Sequence, residues 1–264
     1  MLVPLSLLCA VMQLGSCLTE RPIIGIVTVD LEKSLQGPYP GYDSYIAASY
    51  VKAIEESVNG ILIPGGGAPF NGTNNYYATS KYLYHLAMEL NEKGVYFPVF
   101  GVCLGFEILL HFANDDRQCR RKCDIHHVNL SLDFSPDSGE GNLFKSLPNS
   151  IARTLQTDVT VNNHIWCIYP DDFNELNLGK DWRILSTTTY ENTAPFISSV
   201  EHRKHPVFGV QFHPEKNIYE WHSRFNFPRS ADAIAASRYF YDWFVEQSKM
   251  NDNHFADQRE EEES

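Results

Sequence analysis

Apolar and polar positions divide the first half of the chain into short strand-like runs and longer helical ones. PIIGIVTV (Pro22–Val29) is a brief β-rich run of the kind buried in a sheet. SYIAASYVKAIEES (Ser44–Ser57) places Tyr45, Ala48, Val51 and Ile54 at helical spacing. GILIPGGG (Gly60–Gly67) reads as a second strand that runs into a glycine loop. In SKYLYHLAMELNEKG (Ser80–Gly94), Leu83, Leu86, Ala87 and Leu90 share one helical face. Ser80 suits its N-cap and Gly94 its C-terminal stop. VYFPVFGV (Val95–Val102) is the third strand, and an amphipathic helix follows it. Strands that alternate with helices imply an α/β fold with a mostly parallel sheet and helices on both faces.

The second half has a different rhythm. ARTLQT (Ala152–Thr157), WRILSTT (Trp182–Thr188), FISSVE (Phe196–Glu201) and PVFGVQF (Pro206–Phe212) are strand-like and separated by turns. ADAIAASRYFYDWFVEQ (Ala231–Gln247) is a closing helix. The simplest architecture is a parallel core extended by antiparallel strands.

The 18 residues at the amino terminus contain no Asp, Glu, Lys or Arg, and small residues close the apolar run. Residues 1–18 therefore read as a secretory signal peptide, with a bacterial lipoprotein box at LGSC as the lesser alternative. Behind such a leader, the sequons at Asn71 and Asn129 become glycosylation candidates. Residues 19–250 form the expected domain, and 251–264 an acidic, solvated tail. With 33 Asp and Glu against 21 Lys and Arg, the net charge is −12, and no basic stripe marks a nucleic-acid partner. No later segment is long and apolar enough to span a membrane. Of six cysteines, Cys103, Cys119, Cys123 and Cys167 lie beyond the leader, too few for a disulfide framework in a domain of this size. Cys119 and Cys123 can pair, or Cys167 can join either. His126 and His127 lie near them, but no second paired-cysteine motif completes a metal site, so no metal is expected.

The chemistry-bearing residues lie at strand ends. Gly101-Val102-Cys103-Leu104-Gly105 has the spacing of a nucleophile elbow, with cysteine at the reactive position. Small neighbours are needed there because the turn from strand to helix is tight. The positive end of the following helix favours a thiolate. A cysteine nucleophile needs a base. His213, at the end of an apolar strand, is the best placed. In an extended segment, Glu215 projects to the same side as His213, and Pro214 keeps that segment out of a helix. Cys103, His213 and Glu215 then form a triad by role. The backbone amides of Leu104 and Gly66, the latter in PGGG, are candidate oxyanion donors. PGGG is not a phosphate loop, since no Gly-Lys-Ser/Thr follows it.

Taken together, PIIGI, YIAASYVK, NGILIPGGG, YFPVFGVCLGFE, PVFGVQFHPEK and NDNHF resemble the gamma-glutamyl hydrolase family of class I glutamine-amidotransferase-like cysteine hydrolases. The likeness runs from about Pro22 to Phe255. It implies a flavodoxin-like fold, the same triad, a substrate role for His164, and Glu107 and Tyr50 bordering the site. The implied reaction is cleavage of γ-glutamyl bonds in folate poly-γ-glutamates, in lysosomes or after secretion, by an enzyme without a cofactor and with a homodimer as its implied assembly. A polyanionic substrate calls for cations near the pocket, with Arg203, Lys204 and Arg224 as candidates.

The chain departs from the family in one place. AIEESVNG joins the YIAASYVK helix directly to the NGILIPGG strand, without the βα unit that the family carries between them. In a 2-1-3-4-5 sheet the absent strand is the edge. A right-handed crossover from strand 1 to strand 3 puts the first helix on the opposite face; otherwise the connection is left-handed. Two other functional readings compete with the hydrolase. One is the glutaminase domain of an amidotransferase. The other is a catalytically silent, splice-like homologue that only binds.

Overall fold

The computed structural model describes residues 23–30, 41, 44–45, 59–70, 72, 74–221 and 223–252. The leader, most of the Ser44–Ser57 helix with Tyr50, the sequon at Asn71 and the tail from residue 253 lie outside the described residues.

The main sheet contains β1 (Ile23–Ile26), β4 (Asn59–Ile63), β5 (Val99–Val102), β11 (Val207–Val210), β10 (Phe196–His202), β9 (Trp182–Thr188) and β7 (Asp133–Phe134), in that spatial order. The first four strands are mutually parallel, and the remaining three add antiparallel pairings. The sheet is thus the expected α/β arrangement, a parallel core with an antiparallel extension. Among the described residues β1 ends the sheet and pairs directly with β4, where the family's further strand would be the edge.

Side-chain alternation explains why both sheet faces are covered. Ile61, Val99 and Val207 are register partners across three parallel strands and feed one apolar cluster. Their neighbours Leu62, Phe100 and Phe208 feed the other. Helices α1 (Asn75–Glu92) and α2 (Leu104–Ala113) cover the first face through Tyr84, Ala87, Leu109 and Phe112. Short helices α3 (Asn142–Lys145) and α4 (Asn149–Leu155) share the second face with the long α7 (Ala231–Ser248). There Phe100 stacks on Phe208 at 4.7 Å, and Phe244 closes on both rings.

Several elements differ from the sequence reading. α1 begins at Asn75, and its N-cap is Asn74, whose Oδ1 accepts from the Tyr77 N–H at 2.8 Å. Ser80 lies inside the helix, where the buried stripe is Tyr76, Tyr77, Ser80, Tyr84 and Ala87. Gly94 does follow the helix end, in the left-handed region at φ 84°. Ser44–Tyr45 form a two-residue strand β3 against β2 (Val29–Asp30) instead of opening a helix. ARTLQT lies mostly within α4, because its leucine packs under α7 and its polar residues face water. α2 is buried on all sides from Leu104 to Phe112 rather than amphipathic.

A separate antiparallel ribbon joins β6 (Arg121–Leu130) to β8 (Thr160–Cys167), and the Cys123–Cys167 disulfide crosses it. Cys119 is free and buried. Two further short helices, α5 (Pro170–Glu175) and α6 (Pro214–Tyr219), follow β8 and β11. Among the described residues, no helix is long and apolar enough to cross a membrane.

Candidate active site

The turn from β5 into α2 places Cys103 at φ 52°, a left-handed conformation that costs a side-chain-bearing residue about 1 kcal/mol. The flanking glycines make that turn possible. A Cβ on Gly101 would sit 2.6 Å from the backbone of Gly105, and one on Gly105 only 1.9 Å from the Ile63 carbonyl oxygen. The glycines are therefore where backbones of β4, β5 and α2 touch. Cys103 N–H donates to Val210 O at 2.8 Å, which ties the elbow to β11.

That tie matters because β11 runs parallel to β5 and carries the chain to His213 at the same sheet edge. His213 N–H donates to Val161 O at 2.8 Å, so the ribbon also fixes the histidine. His213 Nδ1 donates to Glu215 Oε1 at 2.7 Å, and Tyr241 Oη donates to Glu215 Oε2 at 3.1 Å. The local backbone differs from the extended segment expected. Pro214 is the first residue of α6, where its missing N–H costs nothing, and Glu215 is in the first turn. The contact forms because a residue just inside a helix reaches back to its N-cap.

Burial pulls the His213 imidazole down, but the charges of Cys103 and Glu215 overcome it and raise it to about 10. Burial raises the Glu215 carboxyl, yet the His213 charge takes it below its usual range. His213 is therefore an imidazolium at neutral pH, held between sulfur and carboxylate.

These groups line a cleft of about 570 Å³ with the loop Pro64–Pro69 as its far wall. The loop is braced: Tyr76 Oη donates to Pro64 O at 2.8 Å, and a Cβ on Gly66 would meet Val29 Cγ1 at 2.9 Å. Asp30 in turn accepts from the Asn75 and Tyr76 amides that open α1. Gly66 and Leu104 both line the cleft with Cys103.

The other expected residues distribute unevenly. His164 on β8 lines the cleft but is buried, and its Nε2 contacts Asn162 Oδ1 at 3.2 Å. Burial, with the nearby His213 charge, lowers it to about 3, so it stays neutral. Glu107 also borders the cleft, but it is a buried partner of Arg120 Nη1 at 2.6 Å and of Gln211 Nε2 at 3.0 Å. Burial holds its carboxyl above the usual range while Arg120 opposes that. Arg203, Lys204 and Arg224 do not line the cleft. Arg203 and Lys204 precede β11, at the opposite sheet edge, where Arg203 Nε donates to Gly179 O. Among the described residues, the Lys and Arg side chains lining the cleft are Arg120, packed 3.6 Å over the Phe70 ring, and Lys216, paired with Glu220. Asn129 is half-buried on β6, with Nδ2 donating to Asn226 O at 2.8 Å.

Sequence reasoning missed Arg120, Gln211 and Tyr241. Arg120 stands in an unmarked polar stretch, and only the fold brings it to Glu107. Gln211 stands within the QFHPEK run and spans from Glu107 to Cys103 Sγ at 3.9 Å. Replacing Arg120 by Met strands the Glu107 charge, and we expect a loss of about 3 kcal/mol in urea unfolding. A loss below about 1 kcal/mol would show that the pair is not needed for the fold.

The arrangement brings the Cys103 sulfur, His213 with its carboxylate partner Glu215, and the Gly66 and Leu104 backbone onto one cleft. The class-I glutamine amidotransferase family model matches residues 42–228, which include Cys103, His213 and Glu215. Gamma-glutamyl hydrolase of Rattus norvegicus is 33% identical over 93% of this chain and 83% of its own length. That of Homo sapiens is 32% identical over 92% and 82%.

The chain belongs to the gamma-glutamyl hydrolase family of class-I glutamine amidotransferases.

Among solved structures, a glutamine amidotransferase from Methylobacillus flagellatus superposes with a TM-score of 0.47 at 14% identity, over 90% of this chain and 99% of that one. In this gamma-glutamyl hydrolase family member, the His213 geometry makes a sign-definite prediction. Its folded value lies above the 6.5 of an ordinary histidine, so the native state holds an extra proton between those limits. This stabilisation is complete below pH 6.5 and is lost as pH rises through about 10. Nitrogen-15 NMR should show His213 protonated at neutral pH. In Cys103→Ala its midpoint should fall, because Cys103 is the larger of the two raising charges. An unchanged midpoint in that variant would refute the pairing.

Proposed function

We propose that this chain hydrolyses γ-glutamyl peptide bonds, with folate poly-γ-glutamates as substrates and a thioester on Cys103 as intermediate. The observation that carries the reading is the strained Cys103 at the same sheet edge as the His213–Glu215 pair. The Cys103 sulfur attacks the γ-carbonyl carbon. The resulting oxyanion accepts from the Leu104 and Gly66 amides. The C–N bond breaks as the His213 imidazolium protonates the leaving nitrogen, which releases the C-terminal glutamate or oligoglutamate and leaves the folate portion as the thioester on Cys103. Neutral His213 then takes a proton from water, whose oxygen attacks the thioester, and Cys103 leaves as the thiolate. Glu215, held by Tyr241, keeps Nδ1 as a donor so that Nε2 is the transferring nitrogen.

The same reading includes a removed leader at 1–18, glycans at Asn71 and Asn129, a homodimer, and a secreted or lysosomal location. The Cys123–Cys167 bridge supports the location, since such bonds persist in oxidising compartments. The test incubates purified mature protein with a folate pentaglutamate and, separately, with glutamine, under reducing conditions, and identifies products by mass. Shortened folates without glutamate release from glutamine are expected. Release from glutamine alone favours a glutaminase, and no product from either favours the silent homologue.

A further inference from the structure

The cysteine bridge of the ribbon surrounds a third potential ligand. The Cys123 and Cys167 sulfurs lie 3.7 and 3.8 Å from His164 Nδ1, and the three atoms fall within 4.8 Å of one another. Asn162 Nδ2 donates to Thr160 O at 2.9 Å, which turns Asn162 Oδ1 towards His164 Nε2 at 3.2 Å. On the other side of the ring, Nδ1 lies 3.0 Å from Trp166 O, next to the two sulfurs. With the proton on Nε2, Nδ1 offers its lone pair to a cation on that side. His164 and Cys167 are buried.

We propose that, when the disulfide is reduced, Cys123 Sγ, Cys167 Sγ, His164 Nδ1 and Trp166 O bind one thiophilic divalent cation of the Zn²⁺ type. The two thiolates, one imidazole and one oxygen are a four-coordinate donor set suited to zinc. At ordinary zinc bond lengths, ligand nitrogen and sulfur stand roughly 3.5 Å apart, close to the N···S distances already present. The two sulfurs, bonded to each other in the disulfide, must separate. Two equivalents of a small thiol, oxidised to their own disulfide, supply two electrons and two protons to Cys123 and Cys167. Cation binding then releases those two protons. The coordinate link replaces the covalent one between β6 and β8 and holds His164 in the cleft wall. The site shares His164 with the hydrolase reading but uses neither Cys103 nor His213, so cobalt binding and hydrolysis are measured separately.

The test uses Cys103→Ala chain, which removes the cleft thiol. It is reduced with a phosphine, which becomes phosphine oxide with oxygen from water, then freed of reductant and titrated with Co²⁺ as the probe. The expected result is one cobalt per chain, with thiolate-to-cobalt charge transfer and the strong visible bands of four-coordination, displaced by Zn²⁺. The unreduced protein should show neither band. Absence of the bands after reduction overturns the proposal. So does their persistence in Cys103→Ala/Cys167→Ser, which assigns the cobalt to Cys119, or an unchanged spectrum and affinity in Cys103→Ala/His164→Ala. Because the oxidised and reduced comparison uses the Cys103→Ala chain alone, it stands even if a double variant fails to fold.

Discussion

Cys103→Ala is expected to leave a folded protein whose kcat/KM for γ-glutamyl hydrolysis is lower by on the order of 10⁴-fold or more. The reason is that His213, Glu215 and the amide donors have no covalent work without the sulfur. What remains is binding and polarisation of the carbonyl. The same position allows a stability test that separates strain from chemistry. Alanine keeps the left-handed penalty at φ 52°, whereas glycine does not. Cys103→Gly should therefore be more stable than Cys103→Ala by about 1 kcal/mol in denaturant midpoints, although neither is active. Retained turnover in Cys103→Ala, against a catalyst-free blank, would remove the thioester mechanism. Equal stability of the two variants would remove the strain argument alone.

Gly105→Ala is the second large effect, and it acts on the fold. Its new methyl would lie 1.9 Å from the Ile63 carbonyl oxygen and 2.7 Å from the carbonyl carbon. Both partners are backbone, one in strand β4 between β1 and β5 and one in the first turn of the buried α2, so no side chain can rotate away. The expected loss is on the order of 5 kcal/mol, enough to deplete the folded state of a marginally stable domain. Gly139→Ala is the control, because nothing lies within 4 Å of its added methyl. Urea unfolding, or soluble yield where Gly105→Ala does not accumulate, reads the difference. A Gly105→Ala protein as stable as Gly139→Ala would show that α2 can shift away from β4, and the elbow could no longer be called rigid.

The residues that carry local chemistry were readable without coordinates. The G-x-C-x-G spacing announces a tight strand-to-helix turn, and the structure has that turn with both glycines at backbone contacts. WRILSTT and the run from Ala231 to Gln247 match β9 and α7 closely, because each has a strong internal pattern. Weaker patterns failed for identifiable reasons. The expected α1 stripe is Leu83, Leu86, Ala87 and Leu90; Ala87 is buried, but tyrosines dominate the buried face, since their hydroxyls find partners such as Pro64 O and their rings fill more space. Pro214 suggests an extended segment, but at the first helical position its fixed φ favours a helix. Arg203, Lys204 and Arg224, the cations expected near the pocket, do not line it, because a position along the chain does not say which end of a strand a residue occupies.

The sequence by itself determined the identities and the local geometry: a small-residue elbow around Cys103, a histidine at a strand end, a carboxylate two residues on, and alternating elements that require a parallel sheet. Tertiary structure alone decided which distant groups meet. It paired Glu107 with Arg120 and Gln211, gave Glu215 a second partner in Tyr241, and chose Cys167 over Cys119 for Cys123. The physical reason is that such pairings follow from strand register and from the burial of charge and sulfur between elements, and neither quantity exists until the sheet has formed.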